Sequence, residues 1–467
     1  MKVLIVSAWR DRFRGDERAR RFPSLSAIHL AALCPSGIEV AVRHEHAHAV
    51  DPEDVDADLV AITATTGGSG RMYELADRLR ARGHAVILGG THASLCPEEA
   101  LEHADAVAVG DAERSFPRML ADFGRGTLRG LYRQETGLPL SGLPAPRYDL
   151  LEETFQFRCF VQATRGCPFD CTFCTLKQLD RGFRARPVDE VVRDIEACEG
   201  RTWLQRKMVW FWDDNLTADR AYARKLFAAL RPLRRWWWTQ ASIDVAQDPD
   251  LLRLAAASGC LAVFVGLESF SASNLLQVRK GSNKVADYRR AIRAFHDAGI
   301  AVQAGIIVGL DDDTPETIRL IPEAVQEIGV DLAFLNMLTP FPATPLRSEL
   351  AAAGRLLDRP WSQHDAAHVT HRPARMTPHE LEHAYWAAYA DLHSPRRAVR
   401  RLVGSTAARR LPAFLLNGYA DGLMAFENLV QPDGPYAAES LAIGSQVSTQ
   451  ERPFGNLPSR EASAPES

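Results

Sequence analysis

Short apolar runs alternate with amphipathic stretches along most of the chain, in two successive series, and no other feature restricts the fold as much. In the first series the apolar runs are Lys2–Ser7, Glu39–Arg43, Leu59–Thr63, Ala85–Leu88 and Ala106–Val109, with helix-like segments at Met72–Arg82 and Glu113–Phe123. Strands separated by helices form βαβ units, which pack as a parallel, doubly wound α/β sheet of Rossmann-like form. The second series is longer. Its strand candidates are Phe160–Thr164, Met208–Trp212, Trp236–Gln240, Leu261–Val265, Val302–Val308 and Asp331–Met337. Helices are expected at Asp189–Cys198, Ala218–Leu230, Pro249–Ser258, Lys284–Ala298 and Pro315–Ile328. Six such units in succession predict a partial (β/α)6 barrel of the TIM type, with its chemistry in the loops after the strands.

These patterns divide the chain into a first domain over 1–125, a linker over 126–158, a barrel over 159–345, a helical region over 346–430 and a tail over 431–467. Pro139, Pro144 and Pro146 mark the linker. Thr377-Pro-His-Glu380 resembles a capping box with Pro at the first helical position, opening a helix to about His393. Leu411–Val430 reads as a further apolar helix, and the Pro/Ser/Glu-rich tail as disordered.

The 55 basic and 59 acidic side chains leave a formal net charge of −4, which argues against broad nucleic-acid binding driven by phosphate attraction. No apolar run is long enough to cross a bilayer, and the N-terminus reads as a strand rather than a signal peptide, so a cytoplasmic protein is expected. Eight cysteines in such a chain point to metal binding, catalysis or burial rather than disulfides.

Ligands of doubly wound sheets sit at the carboxyl ends of the strands. Those ends are Thr63-Ala-Thr-Thr-Gly-Gly68, Gly89-Gly-Thr-His92 and Gly110-Asp-Ala-Glu113, small and polar as a binding rim requires, although tight turns alone would use the same residues. The sharper signal is Thr164-Arg-Gly-Cys-Pro-Phe-Asp-Cys-Thr-Phe-Cys-Thr175. Cys167, Cys171 and Cys174 are three soft ligands in one loop, suited to three irons of a four-iron, four-sulfur cluster whose remaining iron stays open. Zinc is the competing reading, but its motifs pair Cys-x2-Cys with a second, distant pair that is missing here.

This triplet resembles the radical S-adenosylmethionine (SAM) superfamily signature Cys-x3-Cys-x-aromatic-Cys, with Phe173 at the aromatic position. Val209–Asn215, Phe264–Ser269 and Gly305–Glu316 resemble the later strand-end motifs of that barrel. Phe22–Leu33, Leu88–Ala93 and Val109–Glu113 are similar to the cobalamin-binding domain of the B12-dependent branch, and Thr339–Leu350 resembles a segment of its hopanoid and bacteriochlorophyll methylases. The resemblance implies a [4Fe-4S] cluster on the triplet, its open iron chelated by SAM. It places Phe173, Asp213, Gln240, Glu268 and Gly309 around SAM, with Asp214 beside Asp213 as a helix cap or a further carboxylate. It places Thr65, Thr66, Gly67, Gly89, Gly90, Thr91, His92, Gly110 and Glu113 around cobalamin. The Asp-x-His-x-x-Gly pattern of many cobalamin domains is missing, which leaves the lower face of the corrin open and makes His92 a hydrogen-bonding rim residue rather than a cobalt ligand.

The implied activity is methylation of an unactivated carbon in a natural product, lipid or tetrapyrrole, through a 5′-deoxyadenosyl radical and methylcobalamin. A cyclase or rearrangement enzyme with the same cofactors is the rival within the family; a non-catalytic iron–sulfur or corrinoid carrier is the rival outside it. The implied partners are a small-molecule substrate and an electron donor such as flavodoxin or ferredoxin, with membrane contact only for a lipid substrate.

Other features take plainer readings. Trp236-Trp-Trp238 is core, with Trp236 and Trp238 on one face and Trp237 on the other. Cys34, Cys96, Cys159, Cys198 and Cys260 are small buried residues. His364, His368 and His371 have helical spacing and read as a solvated helix face, as does the arginine-rich stretch 396–410.

Overall fold

A computed structural model describes residues 1–9, 22–179 and 182–404. The expected helix at Leu411–Val430, the tail and the end of the arginine-rich stretch lie outside the described residues.

Six strands form the first sheet: β1 (Lys2–Ser7), β2 (Glu39–His44), β3 (Leu59–Thr63), β4 (Ala85–Gly89), β5 (Ala106–Val109) and β6 (Gly130–Arg133). They run parallel in the order β2-β1-β3-β4-β5-β6, so the strand order reverses between β1 and β3. β6 lies inside the stretch read as linker. Its Gly130–Arg133 backbone pairs with β5 from Ala106 to Val109, a short strand that the prolines following it obscure. Side chains alternate across the sheet as the pleat demands. Val3 and Ile5 pack with Ala27, Ile28, Phe116 and Met119 on one face. Leu4 and Val6 pack with Met72, Leu75 and Leu79 on the other.

The second sheet holds β7 (Phe160–Val161), β10 (Met208–Phe211), β11 (Trp236–Ala241), β12 (Cys260–Glu268), β13 (Ala301–Val308) and β14 (Leu332–Met337), parallel and in sequence order. Between them β8 (Thr164–Arg165) and β9 (Arg184–Ala185) form a small antiparallel ladder. The strand expected over Phe160–Thr164 therefore splits in two. Helices Val188–Ala197, Arg220–Leu230, Pro249–Ala257, Tyr288–Asp297 and Pro315–Ile328 cover the outer face, giving the partial barrel.

The tryptophan triplet follows the expected alternation. Trp237 packs outward among the helix-facing residues, and Trp238 packs inward with Phe160, Trp210 and Ala262. The helix Pro378–Leu392 begins on the expected box: Thr377 accepts from the Glu380 amide, and the Glu380 carboxylate accepts from the Thr377 amide at 2.8 Å. The three histidines of helical spacing do not share a helix. His364 follows a 3-10 turn at Trp361–Gln363 and His371 pairs in a bridge with Leu356, so both are buried while His368 is exposed.

Candidate active site at the facing strand ends

The cysteine loop leaves the barrel at β8 and returns at β9. Gly166 has φ +84°, and a Cβ there would lie 1.8 Å from the Gly182 carbonyl oxygen, so only glycine lets the two ends of the loop cross. Its amide donates to Asp214 at 2.8 Å. Within the loop the Cys174 amide donates to the Cys171 carbonyl at 3.1 Å, and Thr172 is pinned to Val278 and Leu346 through backbone bonds of 3.2 and 3.0 Å.

Cys167, Cys171 and Cys174 are free thiols on this loop, Cys171 buried and the other two partly exposed. Burial pushes the Cys174 thiol up to about 12 and raises that of Cys171. Without a metal both stay protonated, and binding iron releases those protons.

Below the loop lies a cavity of about 180 Å³, lined by Cys167, Asp214, Asn215, Gln240, Glu268 and Lys280, among others. Gln240 and Glu268 thus stand where the strand-end reading put them. Glu268 sits at φ +67° beyond a register shift in β12, and its carboxylate occupies the space where a Gly266 side chain would be. Such backbone costs about 1–3 kcal/mol and persists at functional sites. Lys280 pairs with Glu268 at 3.2 Å. Burial raises the Glu268 carboxyl despite that lysine. Asn215 donates to Ser242 at 2.7 Å, and its Nδ2 lies 3.9 Å from the Cys167 sulfur. A pocket with carboxylates, an amide and one ammonium beside the thiols matches a zwitterionic nucleoside.

Three of the residues expected around SAM lie outside this cavity. Asp213 is buried and faces away from this cavity; its carboxylate accepts from the Ala163 amide and from both the amide and hydroxyl of Thr164, so it holds the approach to the loop. Burial pushes its carboxyl up to about 7. The cavity residue is its neighbour Asp214. Gly309 is also structural: its amide donates to Asp313 at 2.8 Å, its carbonyl meets His371 at 2.9 Å, and a Cβ would strike Leu381. Phe173 packs with the apolar group of Val278, Leu310, Leu338, Leu346 and Leu350 rather than lining the cavity. Lys280 and Ser242 escaped the sequence reading, because each lies in a loop with no motif around it, whereas Asn215 closes the Val209–Asn215 motif but was given no role of its own.

The carboxyl edge of the first sheet carries two cavities. One, of about 410 Å³, lies at the strand-order reversal, where Thr65, Thr66 and Gly67 meet Trp9 and the 362–368 segment. The other, of about 260 Å³, is bounded by Gly90, Thr91, Gly110 and Glu113 on the rim and by Gln162, Arg165 and Trp212 of the barrel. Gly110 has φ +80° with nothing within 4 Å of a Cβ position, so bare backbone faces the space. That fits a broad macrocycle approached along its face.

Glu113 is committed elsewhere. Burial pushes it up, but His29 and Arg165 outweigh this and hold it well below the usual carboxylate range. Arg165 reaches Glu113 at 2.8 Å and Asp111 at 2.7 Å, and Arg184 reaches Asp111 at 2.8 Å. Two rim assignments need correcting. Gly89 turns its Cβ position toward Ala108, inside the sheet. His92 is fully buried and lines neither cavity: its Nε2 faces Glu99 at 3.4 Å, and its ring meets Trp361 edge-on. The histidines that do line these cavities are His29, His364 and His368.

Both halves match known families: residues 19–120 the B12 binding domain, residues 161–323 the Radical SAM superfamily. The chain therefore joins a B12 binding domain to a Radical SAM domain, a pairing whose cofactors are a [4Fe-4S] cluster, SAM and cobalamin. It is 27% identical over 387 residues to bacteriochlorophyllide d C-12(1)-methyltransferase of Chlorobaculum tepidum, covering 81% of this chain and 84% of that protein. It is 26% identical to hopanoid C-2 methylase of Rhodopseudomonas palustris, covering 73% and 67%. The fold resembles OxsB, a cobalamin-dependent radical SAM enzyme solved with aqua-cobalamin (TM-score 0.68, 13% identity, 92% of this chain and 75% of that one). It also resembles the methyltransferase TsrM of Kitasatospora setae (TM-score 0.61, 18% identity, 82% and 85%). Among the described residues no helix is long and apolar enough to cross a membrane.

Proposed function

We propose that the protein is a B12-dependent radical SAM methyltransferase acting on an unactivated carbon of a small molecule. The observation that carries this is the opposition of the two strand-end edges: Gln162, Arg165 and Trp212 of the barrel close the cavity over the rim of the first sheet. When bound, the cluster and SAM supply a 5′-deoxyadenosyl radical, and the corrin supplies a methyl group.

The chain's own residues place and shield these parts. Cys167, Cys171 and Cys174 hold the cluster, and Gln240, Glu268, Asp214 and Lys280 orient SAM beside it. Thr65, Thr66, Gly67, Gly90, Thr91 and Gly110 hold the corrin. Trp212, half-exposed, contacts Phe160 and Trp238, so the barrel presents an aromatic floor on the side that faces the rim. This favours a substrate with a large apolar ring system, in keeping with the bacteriochlorophyllide and hopanoid named in two relatives. A ferredoxin or flavodoxin would reduce the cluster.

A second reading has one specific support: an anaerobic magnesium-protoporphyrin IX monomethyl ester cyclase of Cereibacter sphaeroides is 26% identical over 70% of this chain and 58% of its own length. The two readings differ in how SAM is consumed. Methylation yields 5′-deoxyadenosine and S-adenosylhomocysteine in step with product, and methyl-deuterated SAM labels that product. Cyclisation yields 5′-deoxyadenosine without matching S-adenosylhomocysteine, and its product carries no label. An unlabelled product would overturn methyl transfer.

A further inference from the structure

We propose that His92, Cys96 and Glu99 form a binding site for a divalent, thiol-seeking metal ion, zinc by preference, beneath the corrin rim. Their ligand atoms all lie within 4.8 Å of one another, the one such set among the described residues. The spacing is helical, i, i+4 and i+7, but the chain is not one helix. His92 lies on the helix Gly90–Leu95, Cys96 at its junction with the next, and Glu99 in the first turn of that next helix, Pro97–Glu102. The Cys96 amide donates to the His92 carbonyl at 2.9 Å, which fixes the turn that gathers the three groups.

His92 is fully buried, and its Nδ1 has no hydrogen-bond partner, an expense that a merely packed histidine avoids. Its Nε2 stands 3.4 Å from Glu99 Oε1, a poor hydrogen bond. It is a good separation for two ligands of one ion, since donors at about 2.0–2.1 Å in a tetrahedron stand about 3.3 Å apart. Glu99 is in turn oriented by the Trp361 indole, which donates to its two oxygens at 3.0 and 3.2 Å. Metal sites orient their carboxylates with outer hydrogen bonds of this kind. One thiolate, one carboxylate and a neutral imidazole balance a divalent ion without help from Arg347, which stacks over Trp361 at 4.7 Å. A soft sulfur with imidazole favours zinc over calcium or magnesium.

The position gives the ion a purpose. Thr91 and Ser94, on the same short helix as His92, line the rim cavity. The Ser94 hydroxyl accepts from the Gly110 amide at 2.9 Å. Trp361 begins the segment that roofs the second cavity. An ion here would staple that helix and that roof together while His92 stays out of the corrin's reach.

The experiment measures zinc in the full chain, in a Cys167→Ala/Cys171→Ala/Cys174→Ala background that removes the cluster's thiols. One equivalent of zinc per chain is expected after dialysis against micromolar zinc, falling at least tenfold when Cys96→Ala is added. X-ray absorption at the zinc edge should show one sulfur among otherwise nitrogen and oxygen ligands. Zinc should raise the melting temperature of the background protein and leave that of the Cys96→Ala chain unchanged, which also reports whether the variant folds. Zinc retained by Cys96→Ala, substoichiometric zinc in the background, or zinc without a sulfur neighbour would each overturn the site. None of these outcomes depends on methyl transfer, so the proposed activity stands or falls separately.

Discussion

The two strand-end edges face each other but recognise by different means. At the barrel mouth, side chains do the work: Cys167, Gln240, and the Glu268–Lys280 pair at 3.2 Å. At the rim of the first sheet, backbone does it, with Gly110 bare toward the cavity and the nearby carboxylates Asp111 and Glu113 drawn off into ion pairs with Arg165 and Arg184. Directional charge suits a small zwitterion, whereas flat, uncharged backbone suits a wide ring. One chain therefore carries two sites that should fail independently.

The largest test of that independence is the triple variant Cys167→Ala/Cys171→Ala/Cys174→Ala. Bound iron and 5′-deoxyadenosine production should fall to background, while corrin absorbance after loading with hydroxocobalamin stays within about twofold of the wild type; loss of the corrin together with the iron would show that the edges are one site. Next comes Gly110→Val, which puts a β-branched residue at φ +80° and fills the bare space. The backbone strain alone costs about 1–3 kcal/mol. Corrin affinity should drop at least tenfold, with the iron content unchanged.

The smallest effect is on stability and pH. The folded carboxyl of Asp213 is raised to about 7 by burial, while an unfolded aspartate titrates near about 3.9. Between those values the folded protein keeps a proton that the unfolded chain has shed, so stability should decline as pH rises from about 4 to about 7 and level off above. Asp313, raised to about 6, adds a slope of the same sign. Urea midpoints across that range should therefore flatten in part, and only in part, for Asp213→Asn. An unchanged slope would place the titration elsewhere.

How much of this the sequence revealed depended on how locally each feature is encoded. The three cysteines proposed to hold the cluster share one short loop, so their spacing alone singled them out. Gln240 and Glu268 could be read because a strand's end marks its loop. Asp213 failed by a single residue: β10 ends at Phe211, not Trp212, and the chain then turns so that Asp214, not Asp213, meets the cavity. Lys280 reaches Glu268 from a separate loop twelve residues on, a contact that only tertiary structure creates. His364 and His371 show the converse error, a helical period where no helix forms. His92 lay on the right segment with the wrong facing, because Gly90–Leu95 is a helix, in which successive side chains are rotated by about 100°, so His92 turns inward while its neighbour Thr91 lines the rim.

Arg165 has a consequence for assembly. It stands two residues before Cys167, and its guanidinium holds Asp111 and Glu113 on the opposite domain. The cluster loop and the corrin rim therefore cannot shift separately without breaking these partly buried ion pairs. Filling either edge changes the freedom left to the other. Because coupling between two binding events is reciprocal, whatever factor within the expected twofold the corrin adds to the loop's hold on iron, iron returns to the rim's hold on the corrin.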